Sequence, residues 1–135
     1  MTPAERFFQQ IREYGARINA PEAELPGLVQ PFHEGLWIEV DGPALIYRLM
    51  YTEKGRADSI IASSNPLDVL ERIFSIITHS MATNYEIRHR IEGQDTRRQW
   101  FRFQEDLMRQ LKPEWGDNEA NRHAEILIKA PFVDK

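Results

Sequence analysis

Few residues in this 135-residue chain have both the type and the spacing that chemistry requires. Cysteine is absent, which removes thiolate nucleophiles, disulfides and cysteine-ligated metal sites together. Glu119 and His123 stand four positions apart, so on a helix they share one face and could hold one metal ion. An exposed helical ion pair or hydrogen bond is the commoner outcome of that spacing. The other histidines, His33, His79 and His89, are too scattered to add ligands, and we expect neither a metal nor a cofactor.

No set of side chains in the sequence forms a recognisable catalytic centre. Glu105 and Asp106 are adjacent carboxylates, but adjacent residues on a helix point in different directions and do not make an acid–base dyad. The chain also lacks a Gly-x-Ser-x-Gly nucleophile elbow, a phosphate-binding loop, a dinucleotide fingerprint and a His-Glu-x-x-His zinc motif. We therefore expect a protein that performs no catalysis.

The one local concentration of positive charge consists of five arginines with aromatic residues among them: Arg88, Arg90, Arg97, Arg98 and Arg102, with Tyr85, Trp100, Phe101 and Phe103. Such a mixture could neutralise and stack on single-stranded nucleic acid. Acidic residues interleave with the arginines, however, and the aromatic residues fall at the spacing of a helix core. A solvated helical face with ion pairs, or an arginine–carboxylate network that joins two helices, fits the pattern better. A nucleic-acid-associated module that uses the Arg88–Arg102 cluster is kept as the alternative function.

Helix-capping motifs and the spacing of hydrophobic residues predict the secondary structure of the first half of the chain. Thr2-Pro3-Ala4-Glu5 is a capping box with proline at the first helical position, which predicts a helix over residues 3–18. Residues 19–35 are rich in proline and glycine and predict a loop. Three runs of strand-forming residues between Leu36 and Ser63, separated by two glycine-containing turns, predict a three-stranded antiparallel meander.

Helical patterns occupy the second half of the chain. Asn65-Pro66-x-Asp68 opens a long helix that we expect to continue past Tyr85 towards Ile91. Asp95 is expected to cap the next helix, which Pro113 ends, and Asp117 or Asn118 is expected to open a short last helix. The sequence therefore predicts a single α+β domain over residues 1–135. In it an N-terminal helix precedes a three-stranded antiparallel meander, and three helices then pack on the sheet.

The overall charge favours a protein partner over nucleic acid. The chain carries 17 lysine and arginine residues against 21 aspartate and glutamate residues, a net charge of −4. An acidic protein is repelled by a phosphate backbone and attracted to basic surfaces. No apolar run reaches the roughly 18–20 residues that a membrane span needs, and residues 1–12 lack the apolar segment of a signal peptide. We expect a soluble, cytoplasmic protein that directly contacts neither a membrane nor nucleic acid.

The helical half contains several polar and aromatic motifs: Asn84-Tyr85-Glu86-x-Arg88, Asp95-x-Arg97-Arg98-x-x-Phe101-x-x-Gln104-x-x-Leu107, Pro113-x-Trp115, Ile126-Leu127 and Ala130-Pro131-Phe132-x-Asp134. With them, the chain from about Tyr47 to its end resembles the immunity proteins of bacterial polymorphic-toxin and contact-dependent inhibition systems. The resemblance implies a small cytosolic protein that binds one cognate toxin C-terminal domain and blocks its active site or substrate path. It implies no catalytic residues. It also implies a structural role in holding the helices together for four of the matched residues: Asp95, Arg97, Arg98 and Gln104.

A toxin domain that is a nuclease would present a positive substrate groove, which an acidic inhibitor could fill. The candidate contact residues are the acids near the turns of the sheet and around the last loop, with one tryptophan as an aromatic anchor if it is exposed. They are Asp41, Glu53, Asp58, Glu114, Trp115, Asp117 and Glu119. The competing interpretation is that the acids keep the protein in solution and that Trp115 covers a helix end.

Overall fold

A computed structural model describes residues 1–135 and confirms the α+β class and the predicted order of helices and strands. The helices are α1 (Pro3–Arg17), α2 (Pro66–Arg88), α3 (Arg97–Leu111) and α4 (Pro113–Lys129), and the strands are β1 (Gly35–Asp41), β2 (Ile46–Glu53) and β3 (Arg56–Ser63). The chain divides into two compact units, residues 1–74 and 75–135, and α2 continues from the first into the second. That the whole chain forms one domain stays a prediction.

The first unit contains α1, the sheet and the beginning of α2. The capping box of α1 is complete: Glu5 N–H donates to Thr2 Oγ1 and Thr2 N–H donates to Glu5 Oε1, both at 3.1 Å. The sheet is the predicted antiparallel meander in the order β1-β2-β3. The ring of Phe7, on the buried face of α1, lies 5.0 Å from the ring of Tyr47 on β2. The helix thus covers apolar side chains that a sheet of three strands cannot bury alone.

The second unit is helical. Its core includes buried side chains from α3 and from the first turn of α4: Phe101, Leu107, Met108, Leu111 and Trp115. α3 and α4 approach closely at Gly116, where an added Cβ atom would lie 2.6 Å from the Cβ atom of Arg109. None of the helices in the protein is both long enough and apolar enough to cross a bilayer.

The prediction for the last helix is wrong at its start. α4 begins at Pro113, whereas we expected Pro113 only to end α3 and Asp117 or Asn118 to open a short helix. A proline at the first helical position lacks only an N–H group that the helix leaves unpaired there, so it can start a helix as well as end one. Lys112, the residue before it, is extended at φ −151° and ψ 133° and alone separates α3 from α4.

The end of α2 also differs slightly from its prediction. The helix ends at Arg88, before the expected Ile91, and Gly93 then adopts a φ of 81° that favours glycine. The N-cap residue of α3 is Thr96, whose side chain makes no cap hydrogen bond, and the predicted Asp95, one position earlier, accepts the N–H group of Arg97 through Oδ1 at 3.0 Å.

Candidate functional site

The predicted contact residues of the sheet lie at opposite ends of it. Asp41 ends β1 and pairs with Ile46 across the first turn. Glu53 pairs with Arg56 across the second turn, and Asp58 pairs with Tyr51 near that same end. All three carboxylates are exposed. The structure therefore brings Glu53 and Asp58 together and places Asp41 away from them.

The second of these sheet ends carries carboxylates around Tyr51, with Lys54 and Arg56 in the adjoining turn. The hydroxyl group of Tyr51 donates a hydrogen bond of 2.7 Å to Glu34 Oε1. That bond raises the pKa of the Tyr51 phenol, and desolvation and the negative charges of Glu34 and Glu53 raise it further. We call Glu34, Glu53 and Asp58 the sheet-end carboxylates. Glu34 was not in the predicted contact set, and it belongs here because its side chain reaches the middle strand from the loop before β1.

The predicted contact residues of α4 divide between exposed and buried positions. Glu114 and Asp117 are exposed in its first turns, and Asp117 Oδ1 lies 3.3 Å from an Arg109 nitrogen. Trp115 is 4 % exposed and Glu119 is 3 % exposed, so neither has the accessible side chain that a contact residue needs. The physical reason is the early start of α4. Once residue 115 is helical, Trp115, Glu119 and His123 recur every fourth position and form one inward-facing stripe.

A buried polar network joins the second part of α2 to α3 and α4. The Ser75 hydroxyl group donates to Glu119 Oε1, and the Gln104 amide donates to the Ser75 carbonyl oxygen at 2.9 Å. The imidazole of His123 lies between two side chains of α3: its Nε2 atom is 3.0 Å from Gln104 Oε1, and its Nδ1 atom is 2.6 Å from Glu105 Oε2. We call these five residues the helix-core network. The i,i+4 spacing of Glu119 and His123 pointed to it, but its other members come from two other helices.

The orientation of His123 follows from the hydrogen bonds of Gln104. The Gln104 NH2 group donates to the Ser75 carbonyl oxygen and, at 3.3 Å, to Thr78 Oγ1, so its Oε1 atom is the acceptor that faces His123 Nε2. Because Nε2 faces that amide oxygen and Nδ1 faces a carboxylate oxygen of Glu105, both ring nitrogens are engaged within the protein. Glu119 is held instead by Ser75 and by Arg122, whose nitrogen lies 2.9 Å from Glu119 Oε1.

The residues after α4 are bound to the N-terminal end of α3 by ion pairs, an arrangement that we call the C-terminal clamp. Arg97 contacts both carboxylate oxygens of Asp95, at 3.2 and 2.9 Å, and also donates to the carbonyl oxygens of Ala130 and Pro131. Arg98 contacts both carboxylate oxygens of Asp134, with its shortest distance at 2.9 Å. These geometries support the structural role that we predicted for Asp95, Arg97 and Arg98, and Gln104 serves the separate helix-core network.

Electrostatics in the clamp favour the charged forms of both aspartates. The hydrogen bonds from Arg97, with those from the backbone of Val133 and Arg97, hold the pKa of Asp95 well below its usual range. The hydrogen bonds from Arg98 and the Asp95 N–H group lower the pKa of Asp134 in the same way. The clamp is therefore complete only while both carboxylates are ionised.

We expect Arg98→Ala to lower the midpoint of urea unfolding at pH 7, and we expect this decrease to be smaller at pH 3. The stability that comes from a lowered folded-state pKa is complete above the ordinary aspartate value of about 3.9, and it is lost progressively as the pH falls from there through the lowered pKa. Urea unfolding of both proteins at pH 7 and at pH 3 measures the difference. Arg102→Ala removes an exposed arginine outside the ion pairs and is the matched control. An effect of Arg98→Ala that is equal at both pH values would contradict the clamp.

Most of the arginine cluster is engaged within the protein. Arg90 pairs with the buried Glu86 at 2.7 Å, and Arg97 and Arg98 belong to the clamp. Arg88 and Arg102 remain as exposed cations without an ion pair. The ion-paired helical face and the arginine–carboxylate network that we weighed in the sequence both describe this region. The nucleic-acid alternative gains no support, because most of the charge that it needs is neutralised.

One protein-family model matches the chain, over residues 42–125, and its description is Immunity protein 63. The chain belongs to the Immunity protein 63 family. The predicted resemblance to bacterial immunity proteins is thereby confirmed. No curated protein and no solved structure matches the chain. The part of the protein that carries the Immunity protein 63 pattern runs from the first turn of the sheet into α4 and contains the helix-core network. It leaves out α1, β1 up to Asp41 and the loop between them, and also residues 126–135, which contain the end of α4 and Asp134 of the clamp.

Proposed function

We propose that this immunity protein neutralises one cognate bacterial toxin domain by binding it directly, in a one-to-one complex in the cytoplasm. The observation that carries the proposal is the family match over residues 42–125. To inhibit a toxin by binding to it, the immunity protein needs only a stable fold and a surface complementary to the toxin. The helix-core network and the C-terminal clamp supply the first of these, and the exposed acids supply a charged surface.

The charge distribution supports a basic target. The protein has a net charge of −4, and the hydrogen bond to Glu34, with the charges of Glu34 and Glu53, raises the pKa of Tyr51. A nuclease binds its polyanionic substrate in a positive groove, so a nuclease domain is the toxin class that we propose. Acids on the inhibitor accelerate association with such a groove, and added salt screens this effect. The exposed acids proposed for this role are Asp41, Glu53, Asp58, Glu114 and Asp117, of which Asp117 also lies 3.3 Å from an Arg109 nitrogen.

The toxin that we propose is the C-terminal domain of a polymorphic or contact-dependent inhibition toxin encoded beside the immunity protein. Blocking its active site or its substrate path would protect the producing cell and its siblings. The immunity protein would remain chemically unchanged throughout, since binding is its whole contribution.

Co-expression with the toxin domain from the neighbouring reading frame tests this function. We expect bacteria that express the toxin to survive only with the immunity protein, and we expect the purified pair to elute as a one-to-one complex in size-exclusion chromatography. We also expect the association rate to fall as the salt concentration rises. A toxin domain from an unrelated locus is the control. Cells that die despite folded immunity protein, with no complex in solution, would disprove the function.

A further inference from the structure

A groove with a volume of about 940 Å³ runs along one face of α1. Glu5, Phe8, Glu13 and Ala16 line it from α1, and Leu25 and Leu28 line it from the loop that follows. We call it the α1 groove. The groove is open to solvent.

The floor of the α1 groove is apolar. Phe8 and Leu25 are half-buried, and Leu28 is 37 % exposed. The loop then continues with Val29 and Phe32, which are 81 % and 88 % exposed. Large apolar side chains at this exposure are costly to keep in water, and several along one short segment mark a surface for another macromolecule.

The rim of the α1 groove is acidic. It contains the carboxylates of Glu5, Glu13 and Glu22 against one guanidinium group, that of Arg12. Arg12 offsets one of these carboxylates, because its nitrogen lies 2.9 Å from Glu22 Oε1, and Glu5 also accepts the Thr2 N–H group, so Glu13 is the carboxylate without such a contact. The groove therefore presents negative charge around an apolar centre. A partner that fits it has an apolar side chain or turn flanked by lysine or arginine residues.

The α1 groove also lies where specificity for one partner can be encoded. All of its residues precede position 42, where the Immunity protein 63 match begins. The family pattern therefore does not include the groove, and recognition of one toxin requires contacts that discriminate against others. The helix-core network lies inside the matched segment and is suited to the shared fold.

We propose that the α1 groove is the docking surface for the cognate toxin and receives a basic, apolar-tipped projection of that domain. This inference rests on the proposed function and specifies its surface. It assigns the apolar contacts to the floor of the groove and the steering charges to its rim. The sheet-end carboxylates provide charge but no concave apolar surface, so they contribute to steering rather than to docking.

The double variant Glu13→Arg/Ala16→Arg tests the proposal. Both positions are exposed on α1, and arginine is a good helix former, so the fold is expected to survive. Two cations in the groove would repel a basic projection and fill the apolar floor. We expect the affinity for the toxin domain, measured by isothermal titration calorimetry, to fall at least about tenfold. The matched control is Ala124→Arg/Glu125→Arg, which makes the same change on exposed positions of α4 and is expected to stay within about threefold of wild type.

Circular dichroism shows whether the double variant folds. If the double variant does not fold, the affinity is measured with Leu28→Lys, a single change on the loop side of the groove. An unchanged affinity in the folded groove variant, or an equal loss in the α4 control, would overturn the docking surface while the proposed function stands. Absence of any complex with wild-type protein would overturn both. If the wild-type protein is a dimer and the groove variant is a monomer, the groove binds a second copy of the chain. That result would contradict the proposal.

Discussion

Replacing His123 with alanine is expected to lower the free energy of unfolding by about 3–5 kcal/mol. The imidazole is 4 % exposed and joins Glu105 to Gln104, so its removal leaves a carboxylate oxygen and an amide oxygen facing an empty volume. The stacked contact with the Phe101 ring, whose centroid lies 4.0 Å away, disappears as well. An ion pair at an exposed position would contribute only about 0–1 kcal/mol, and burial accounts for the difference.

Urea unfolding at pH 7, followed by circular dichroism, measures this effect. The matched control is His33→Ala, because His33 is exposed in the loop before β1 and its change is expected to stay within about 0.5 kcal/mol of wild type. A loss below about 1 kcal/mol for His123→Ala would mean that water or neighbouring side chains satisfy the network without the imidazole.

The second large loss of stability is expected for Gly116→Ala, although helix propensity alone would predict that alanine stabilises the helix. Alanine in place of glycine inside a helix stabilises it by up to about 1 kcal/mol when the site is open. Gly116 is not open: its added Cβ atom would lie 2.6 Å from Arg109 Cβ and 2.9 Å from Arg109 Cα. Those atoms belong to the body of α3 and cannot rotate away, so the two helices must separate. We expect Gly116→Ala to destabilise the protein by about 1–3 kcal/mol, the usual cost of overpacking.

Gly15→Ala is the matched control for Gly116→Ala. Gly15 is also a buried glycine inside a helix, and its added Cβ atom would lie 3.1 Å from Leu25 Cδ2. That neighbour is the end of a half-buried, flexible side chain and can move by a few tenths of an ångström. We therefore expect Gly15→Ala to remain within about 1 kcal/mol of wild type, with thermal unfolding as the measurement. Equal stability of Gly116→Ala and wild type would show that α3 and α4 tolerate a wider separation.

The parts of the fold that the sequence predicted well depend on neighbouring residues. The α1 start follows from hydrogen bonds between Thr2 and Glu5, three positions apart. The second hairpin turns at Gly55, whose φ of 78° favours glycine. Asp95 accepts the N–H group of Arg97, two positions later, at the start of α3. In each case the interacting groups are close in sequence, so their types and spacing were enough.

The candidate site was less accessible to sequence reasoning. Leu25 and Leu28 lie in a segment that we predicted only as a loop, and its place beside α1 is a property of the folded chain. The sequence also did not predict which residues of α4 are buried, because a proline such as Pro113 can either end a helix or start one. We expected α4 to start at Asp117 or Asn118, which placed Trp115 in a loop and suggested that its side chain was exposed. In the structure that side chain is buried.

The sequence by itself determined the α+β order, the acidic charge and the likeness to immunity proteins, since these depend on composition, local period and short motifs. Only the tertiary structure decided which polar groups are buried. The Ser75 hydroxyl group meets Glu119 across 44 positions, and Arg98 meets Asp134 across 36. A carboxylate inside the helical unit requires such partners to offset its lost hydration, and no pattern along the chain specifies which distant donor will stand beside it.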